Sequence, residues 1–146
     1  MGIQRSERKS FNAPDDVRIF PHGSADLLRI GGGVVGRFVF QPGWRCSNDV
    51  KPIAKTRSCQ VPHFQYQVSG RLAIKMDDGT EFIAEAGDVS ALSFGHDAWV
   101  VGEEPVVVID WWGASRYAKQ MEASDHPHRE SSNQQANGQQ TAEASR

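Results

Sequence analysis

Between Val17 and Trp112 apolar and polar residues mostly alternate with strand period, and no helical period interrupts them. Pro14-Asp15-Asp16 is a turn signal, and Val17–Phe20 reads as a short strand closed by Pro21-His22-Gly23. Ala25–Ile30 is a second extended run. Gly31-Gly32-Gly33 marks a turn or a close backbone approach. Val34–Phe40 sets Phe38 and Phe40 on one face and Val35, Arg37 and Val39 on the other. After Pro42-Gly43 comes a long irregular stretch, Trp44 to Ser58, of the kind that usually covers something or carries function. Cys59 to Val68 then leads to Gly70, and Leu72, Ile74 and Met76 alternate with polar or small neighbours. Asp77-Asp78-Gly79 predicts a tight hairpin returning through Thr80–Ala84. Val89–Ser93 follows Gly87-Asp88. Gly95-His96-Asp97 reads as a turn before Trp99–Val101, and Val106–Trp112 is a nearly continuous apolar strand.

About nine short strands at regular spacing predict an all-β sandwich or barrel. Residues 14–113 form the barrel domain in this reading. Residues 1–13 are a loose polar lead-in, and 114–123 a short helix with Tyr117 and Met121 at helical spacing. From Ser124 onward there is no Val, Ile, Leu, Met, Phe, Trp or Tyr, so 124–146 reads as a disordered tail.

Composition narrows the functional classes. With 146 residues the chain is one domain's length, and a net charge of -2 with no basic stripe gives no ground for a nucleic-acid partner. No apolar run approaches a membrane span. The N-terminus has no signal-peptide core, and cytoplasmic is the default setting. Gly2 and Ser6 match the myristoylation pattern, a short one often met by chance. Two cysteines, Cys46 and Cys59, are too few for a disulfide scaffold; they could bridge if close, but a cytoplasmic setting argues against it.

Candidate chemistry centres on Arg57 to Gly70, RSCQVPHFQYQVSG, where Cys59 and His63 stand four apart on strand-like sequence. The run from His63 to Gly95, HFQYQVSGRLAIKMDDGTEFIAEAGDVSALSFG, resembles the barrel of the cupin superfamily. That family's first motif reads Gly, five residues, His-x-His, three or four residues, Glu, six residues, Gly. Its second reads Gly, five residues, Pro-x-Gly, two residues, His, three residues, Asn. Gly70 fits the first motif's closing glycine, which puts His63 at the glutamate position and Cys59 and Arg57 at the two histidine positions. Gly87 opens the second motif, Ser93-Phe94-Gly95 takes the Pro-x-Gly slot, and Ala98 stands at the last histidine position, two residues after His96. The resemblance covers roughly 38–112 and implies a double-stranded β-helix, the jelly-roll barrel, in the form of a small stand-alone cupin. Its glycine and hairpin framework fits better than its metal ligands, none of which keeps its family residue type.

Family sites of three histidines and a glutamate suit iron or manganese. Here Cys59, His63 and His96 make a candidate sulfur and double-nitrogen set with an open position, which favours a divalent metal such as zinc over iron or copper. The bland alternative is a buried cysteine and a hydrogen-bonded interior histidine. Arg57 is a candidate for holding an anionic ligand group, or else a solvated loop residue. Gln65 and Gln67 share the face of His63; if that face is interior they are polar hooks for a ligand, with Tyr66 on the opposite face in the sheet-packing core. Trp44 and Trp99 either wall the pocket or belong to the core. Trp111-Trp112 place large rings on both faces of one strand, which points to a homodimer interface. His126-x-His128 lies in the tail and is a decoy.

Two functions follow. The first is a metal-dependent enzyme acting on a small molecule. The second is a non-catalytic ligand-binding or sensor cupin. A structural partner protein working through Trp111-Trp112 is a third.

Overall fold

The computed structural model describes residues 5–49 and 59–115. The all-β expectation holds. The strands are β1 (Asp16–Phe20), β2 (Gly23–Ile30), β3 (Gly33–Phe40), β4 (His63–Ser69), β5 (Leu72–Met76), β6 (Glu81–Ala84), β7 (Val89–Leu92), β8 (His96–Val100) and β9 (Val106–Asp110). A single-turn helix, α1 (Cys46–Asp49), interrupts the stretch read as irregular. A helical turn over 112–115 opens where the C-terminal helix was expected. The rest of that helix, the tail with His126 and His128, Gly2 and Arg57 lie outside the described residues. No helix among the described residues is long and apolar enough to cross a membrane.

Two antiparallel sheets face each other. One has six strands in the order β1-β2-β3-β9-β4-β7, the other three in the order β6-β5-β8. The core lies between them. Ala25 and Leu27 from β2, Phe38 and Phe40 from β3, and Val106 and Val108 from β9 meet Leu72 and Ile74 from β5 and Ala98 from β8. The alternation seen in the sequence therefore aims one face of each strand inward. Before β1, Lys9 pairs with Asp15 at 2.7 Å, and the Arg37 guanidinium lies over the Phe11 ring at 5.2 Å.

Gly70 closes β4. Its φ is +73°, and a Cβ there would come within 2.5 Å of the Pro105 carbonyl oxygen. The position needs glycine for conformation and for space. Just before it the β4–β9 register slips between Gln67 and Ser69.

Two details differ from the sequence reading. His96 and Asp97 belong to β8 rather than to a turn. Trp111 and Trp112 lie beyond the end of β9, so they do not occupy opposite faces of one strand; both are exposed and both approach Phe64, at 5.9 and 5.2 Å between ring centres.

Candidate functional site

On β4 the residues at odd positions turn inward. Gln65 and Gln67 are 5% and 1% exposed, whereas Phe64, Tyr66 and Val68 are 39%, 40% and 45% exposed. His63 shares the inward parity at the strand's start, partly exposed to solvent. Tyr66 therefore does not join a packed core as expected. It stands on the outer face of the six-stranded sheet, paired across to Val89 and Ile109.

Asp110, the last residue of β9, faces His63 and Gln65 and is 1% exposed. His63 Nδ1 donates to Asp110 Oδ2 at 2.5 Å. Asp110 Oδ1 accepts from the backbone N–H of Gly113 at 3.0 Å and of Phe64 at 3.3 Å. A buried carboxylate is tolerated when its lone pairs are used in this way. Gly113 matters for space: a Cβ there would sit within 2.5 Å of His63 Nδ1 and collide with the Asp110 carboxylate. With Nδ1 engaged, the His63 ring orientation is set and Nε2 is left for other chemistry. Asp110 escaped the sequence reading because it ends an apolar run. Its parity with Val106 and Val108 was the available signal.

His96 opens β8 with its side chain buried. Its ring meets that of His63 edge-on, 5.1 Å between centres. Its Nδ1 lies 3.4 Å from the Ser93 carbonyl oxygen, a long contact. Burial and the neighbouring His63 push its pKa down to about 4, so His96 is a neutral imidazole near pH 7.

Cys59 pairs with His96 in an isolated antiparallel bridge: Cys59 N–H donates to the His96 carbonyl at 2.9 Å, and His96 N–H to the Cys59 carbonyl at 3.2 Å. Directly opposed residues carry their side chains on the same face. The Cys59 sulfur, however, is bonded to Cys46. This overturns the expectation of free cysteines and corrects the proposed ligand set, because a disulfide sulfur is not a thiolate. Asp97 helps to place Cys46. Its Oδ1 accepts from the Ser47 N–H at 3.0 Å and its Oδ2 from Arg45 Nε at 2.9 Å. Burial acts to raise the Asp97 pKa, but these hydrogen bonds and the Ala98 N–H outweigh it and hold the carboxyl below its ordinary range.

The other predicted ligand contacts divide. Gln67 Nε2 donates to the carbonyls of Ser69 and Gly70 at 3.2 and 3.1 Å, so half of this amide pins the irregular end of β4. Its Oε1 is buried without a partner among the described residues, as is Trp44 Nε1. Trp44 joins the core, its ring stacked on Phe40 at 3.9 Å. Trp99 takes the opposite β8 parity to His96 and Ala98, with the Arg45 guanidinium over its ring at 4.6 Å, so it does not wall the interior. Gln65 is inward and buried, opposite Ser90 and Asp110.

The metal expected from the family's sites was tested against this donor set. Two imidazoles meet edge-on, Asp110 is committed to His63 and two backbone N–H groups, and the Cys59 sulfur is oxidised. Among the described residues no group of three or more His, Cys, Asp or Glu is arranged to hold a metal ion. In the disulfide form the residues do not fit one.

No family model matches the chain, and no curated protein matches it. Solved structures do. A structural-genomics protein of unknown function from Rhizobium leguminosarum bv. viciae is 14% identical, with a TM-score of 0.51 over 74% of this chain and 98% of that one. A cupin-2 domain from Rhodospirillum rubrum is 15% identical, with a TM-score of 0.47 over 70% of this chain and 64% of that one. A variant of Bacillus subtilis oxalate decarboxylase is 20% identical, with a TM-score of 0.45 over 65% of this chain and 26% of that one. The sheet order and the glycine-and-hairpin framework are those of a two-sheet jelly roll, consistent with the barrel that the sequence resemblance implies.

Proposed function

We propose that this protein binds a small polar molecule inside the barrel, against His63, His96 and Gln65. The observation that carries the reading is the Asp110–His63–His96 array on inward-facing strand positions. A barrel interior built only for stability would be apolar there, because each buried polar group must be matched. Gln67 Oε1, on the same inward face and buried without a partner among the described residues, supports the same reading: a polar guest or a water supplies one. Asp110 orients His63, and the neutral His96 offers a second acceptor or donor. With a bound substrate, His63 is the candidate general base. The ligand-binding form of the function is thus favoured over the metal enzyme for the disulfide state. We also infer that a second copy of the chain covers the outer face bearing Phe64, Tyr66, Val68, Val89, Trp111 and Trp112, all exposed in the single chain.

The test is a thermal-shift screen of small carboxylates, keto acids and sugars, with hits followed by side-chain NMR of His63, His96 and Gln65. Binding is expected to move those signals and to weaken in His63→Ala and Gln65→Leu. Hits that bind both variants as tightly as the parent would refute the site.

A further inference from the structure

The inner face of the six-stranded sheet carries a polar row longer than the histidine array. Ser90 of β7 lies directly opposite Gln65 of β4, and Gln65 lies directly opposite Asp110 of β9. Directly opposed residues share a face. A hydroxyl, an amide and a carboxylate therefore run side by side across three adjacent strands. Ser90 is buried, as Gln65 and Asp110 are. Asp110 is fully engaged, but neither the Ser90 hydroxyl nor the Gln65 amide has a hydrogen-bond partner among the described residues. Two residues along β4 in one direction stands His63 with His96 against it, and two residues in the other stands Gln67 with its unmatched Oε1. Buried polar groups are ordinarily paired, so a row of unpaired ones is built for a guest.

Charge decides what kind of guest. None of the four strands that bear these side chains, β4, β7, β8 and β9, contains a lysine or an arginine. The one formal charge on their inner faces, Asp110, is negative. A carboxylate or phosphate would be buried beside an acid with no cation from these strands to offset it. A cation fares no better, because the burial that keeps His96 uncharged acts on an ammonium too. A neutral guest is left, and it must donate hydrogen bonds. His63 gives its Nδ1 hydrogen to Asp110, and His96 turns Nδ1 toward the Ser93 carbonyl, so both rings present Nε2 as an acceptor. Gln67 Oε1 is a third acceptor. A ketone or an ether brings no hydrogen to these groups. Hydroxyls donate to them and also accept from the Gln65 amide and the Ser90 hydroxyl. We propose that the occupant is a neutral polyol, with hydroxyls given to His63 and His96 and a further one shared by Gln65 and Ser90, which makes Ser90 a residue that determines specificity. The inference rests on the reading of the same interior site given above.

The experiment uses the full chain in its disulfide form and matched trios of probes: glycerol, propylene glycol and glycerate; ribose, deoxyribose and ribonate; glucose, deoxyglucose and gluconate. Each trio holds a polyol, an analogue lacking one hydroxyl, and the corresponding acid. Titrations are followed by the imidazole signals of His63 and His96 and the side-chain amide signals of Gln65. At least one polyol is expected to move all of them and to bind about tenfold or more tightly than its acid. Its deoxy analogues should bind roughly 5–150-fold more weakly, because a missing hydroxyl leaves a buried partner unpaired. Ser90→Ala should bind the polyol about tenfold more weakly than the parent does. The deoxy analogue lacking the hydroxyl that meets Ser90 should bind variant and parent alike, a ratio that a merely structural serine would not change. The proposal fails if the acid binds as tightly as its polyol, or if folded Ser90→Ala keeps every polyol-to-deoxy ratio of the parent. If no polyol binds while small carboxylates or keto acids move the His63 and Gln65 signals, the interior site stands and the polyol is the wrong occupant. If no probe of any class moves them, both readings are lost.

Discussion

The two faces of β4 invert the usual order of a strand. Its inner face carries His63, Gln65 and Gln67, and its outer face Phe64, Tyr66 and Val68. Compare β9, whose inner face is Val106 and Val108 until Asp110. If β4 served only the fold, hydrophobic burial of roughly 25 cal/mol per Å² would place its apolar residues inside. The inversion says that the interior at β4 is polar for a reason other than stability, and that its outside is apolar for a reason other than solubility.

The strongest way to break the inner face is Asp110→Ala. It leaves His63 and the Phe64 and Gly113 N–H groups without their acceptor and should lower stability by about 3 kcal/mol, read from urea unfolding. Acid should act on His96 by roughly 3 kcal/mol. Burial and His63 lower its pKa from 6.5 to about 4, so the unfolded chain binds the extra proton between those values. The contribution is complete above pH 6.5, falls as pH drops through that window, and levels off below about 4. Asp97 and Asp77 oppose the shift from nearby, and the Ser93 carbonyl also favours the protonated form. Unfolding curves of metal-free oxidised protein at pH 7 and pH 4, beside His96→Gln, separate this term; an equal slope in the variant would sink it.

Smaller effects sharpen the comparison. Gln65→Leu should leave stability unchanged or raise it by up to about 1 kcal/mol while weakening ligand binding, because it trades a buried amide for an apolar side chain. A loss of stability would mean that Gln65 is structural. On the outer face, Tyr66→Lys should change the unfolding free energy of the isolated chain by no more than about 0.5 kcal/mol. In sedimentation the same variant, or Trp112→Ser, should shift a dimer toward monomer. An unchanged sedimentation coefficient would discard the second copy as the cover of this face.

Much of this architecture was legible in the chain. Period-two alternation and glycine turns located the strands, β8 only by its last residues, and Gly70 located the end of β4 because only glycine meets both its φ and its contact with Pro105. The inward side of β4 was legible only as a conditional, since parity pairs Gln65 with Gln67 and His63 without saying which side is in. Asp110 was hidden by the run Val106-Val107-Val108-Ile109, whose hydrophobicity drew attention from the acid at its end. The disulfide was illegible for a different reason. Cys46 and Cys59 are 13 residues apart, and what joins them is the edge of β8 away from β5, which bridges both Arg45 and Cys59, a tertiary fact that local pattern does not carry. His96 was read as a turn residue because Gly95 precedes it. Its pairing with Met76 made it a strand residue instead.

Asp110 also imposes a direction on change. Its carboxylate serves a histidine and, separately, two backbone N–H groups, that of Phe64 at the start of β4 and that of Gly113 in the last helical turn. His63 can be replaced first, since Phe64 and Gly113 keep their acceptor. Replacing the aspartate first takes both away at once. A chain of this fold drifting from one chemistry to another would have to give up its histidine before its acid, and a designer who wants a new reaction in this barrel has the same order to follow.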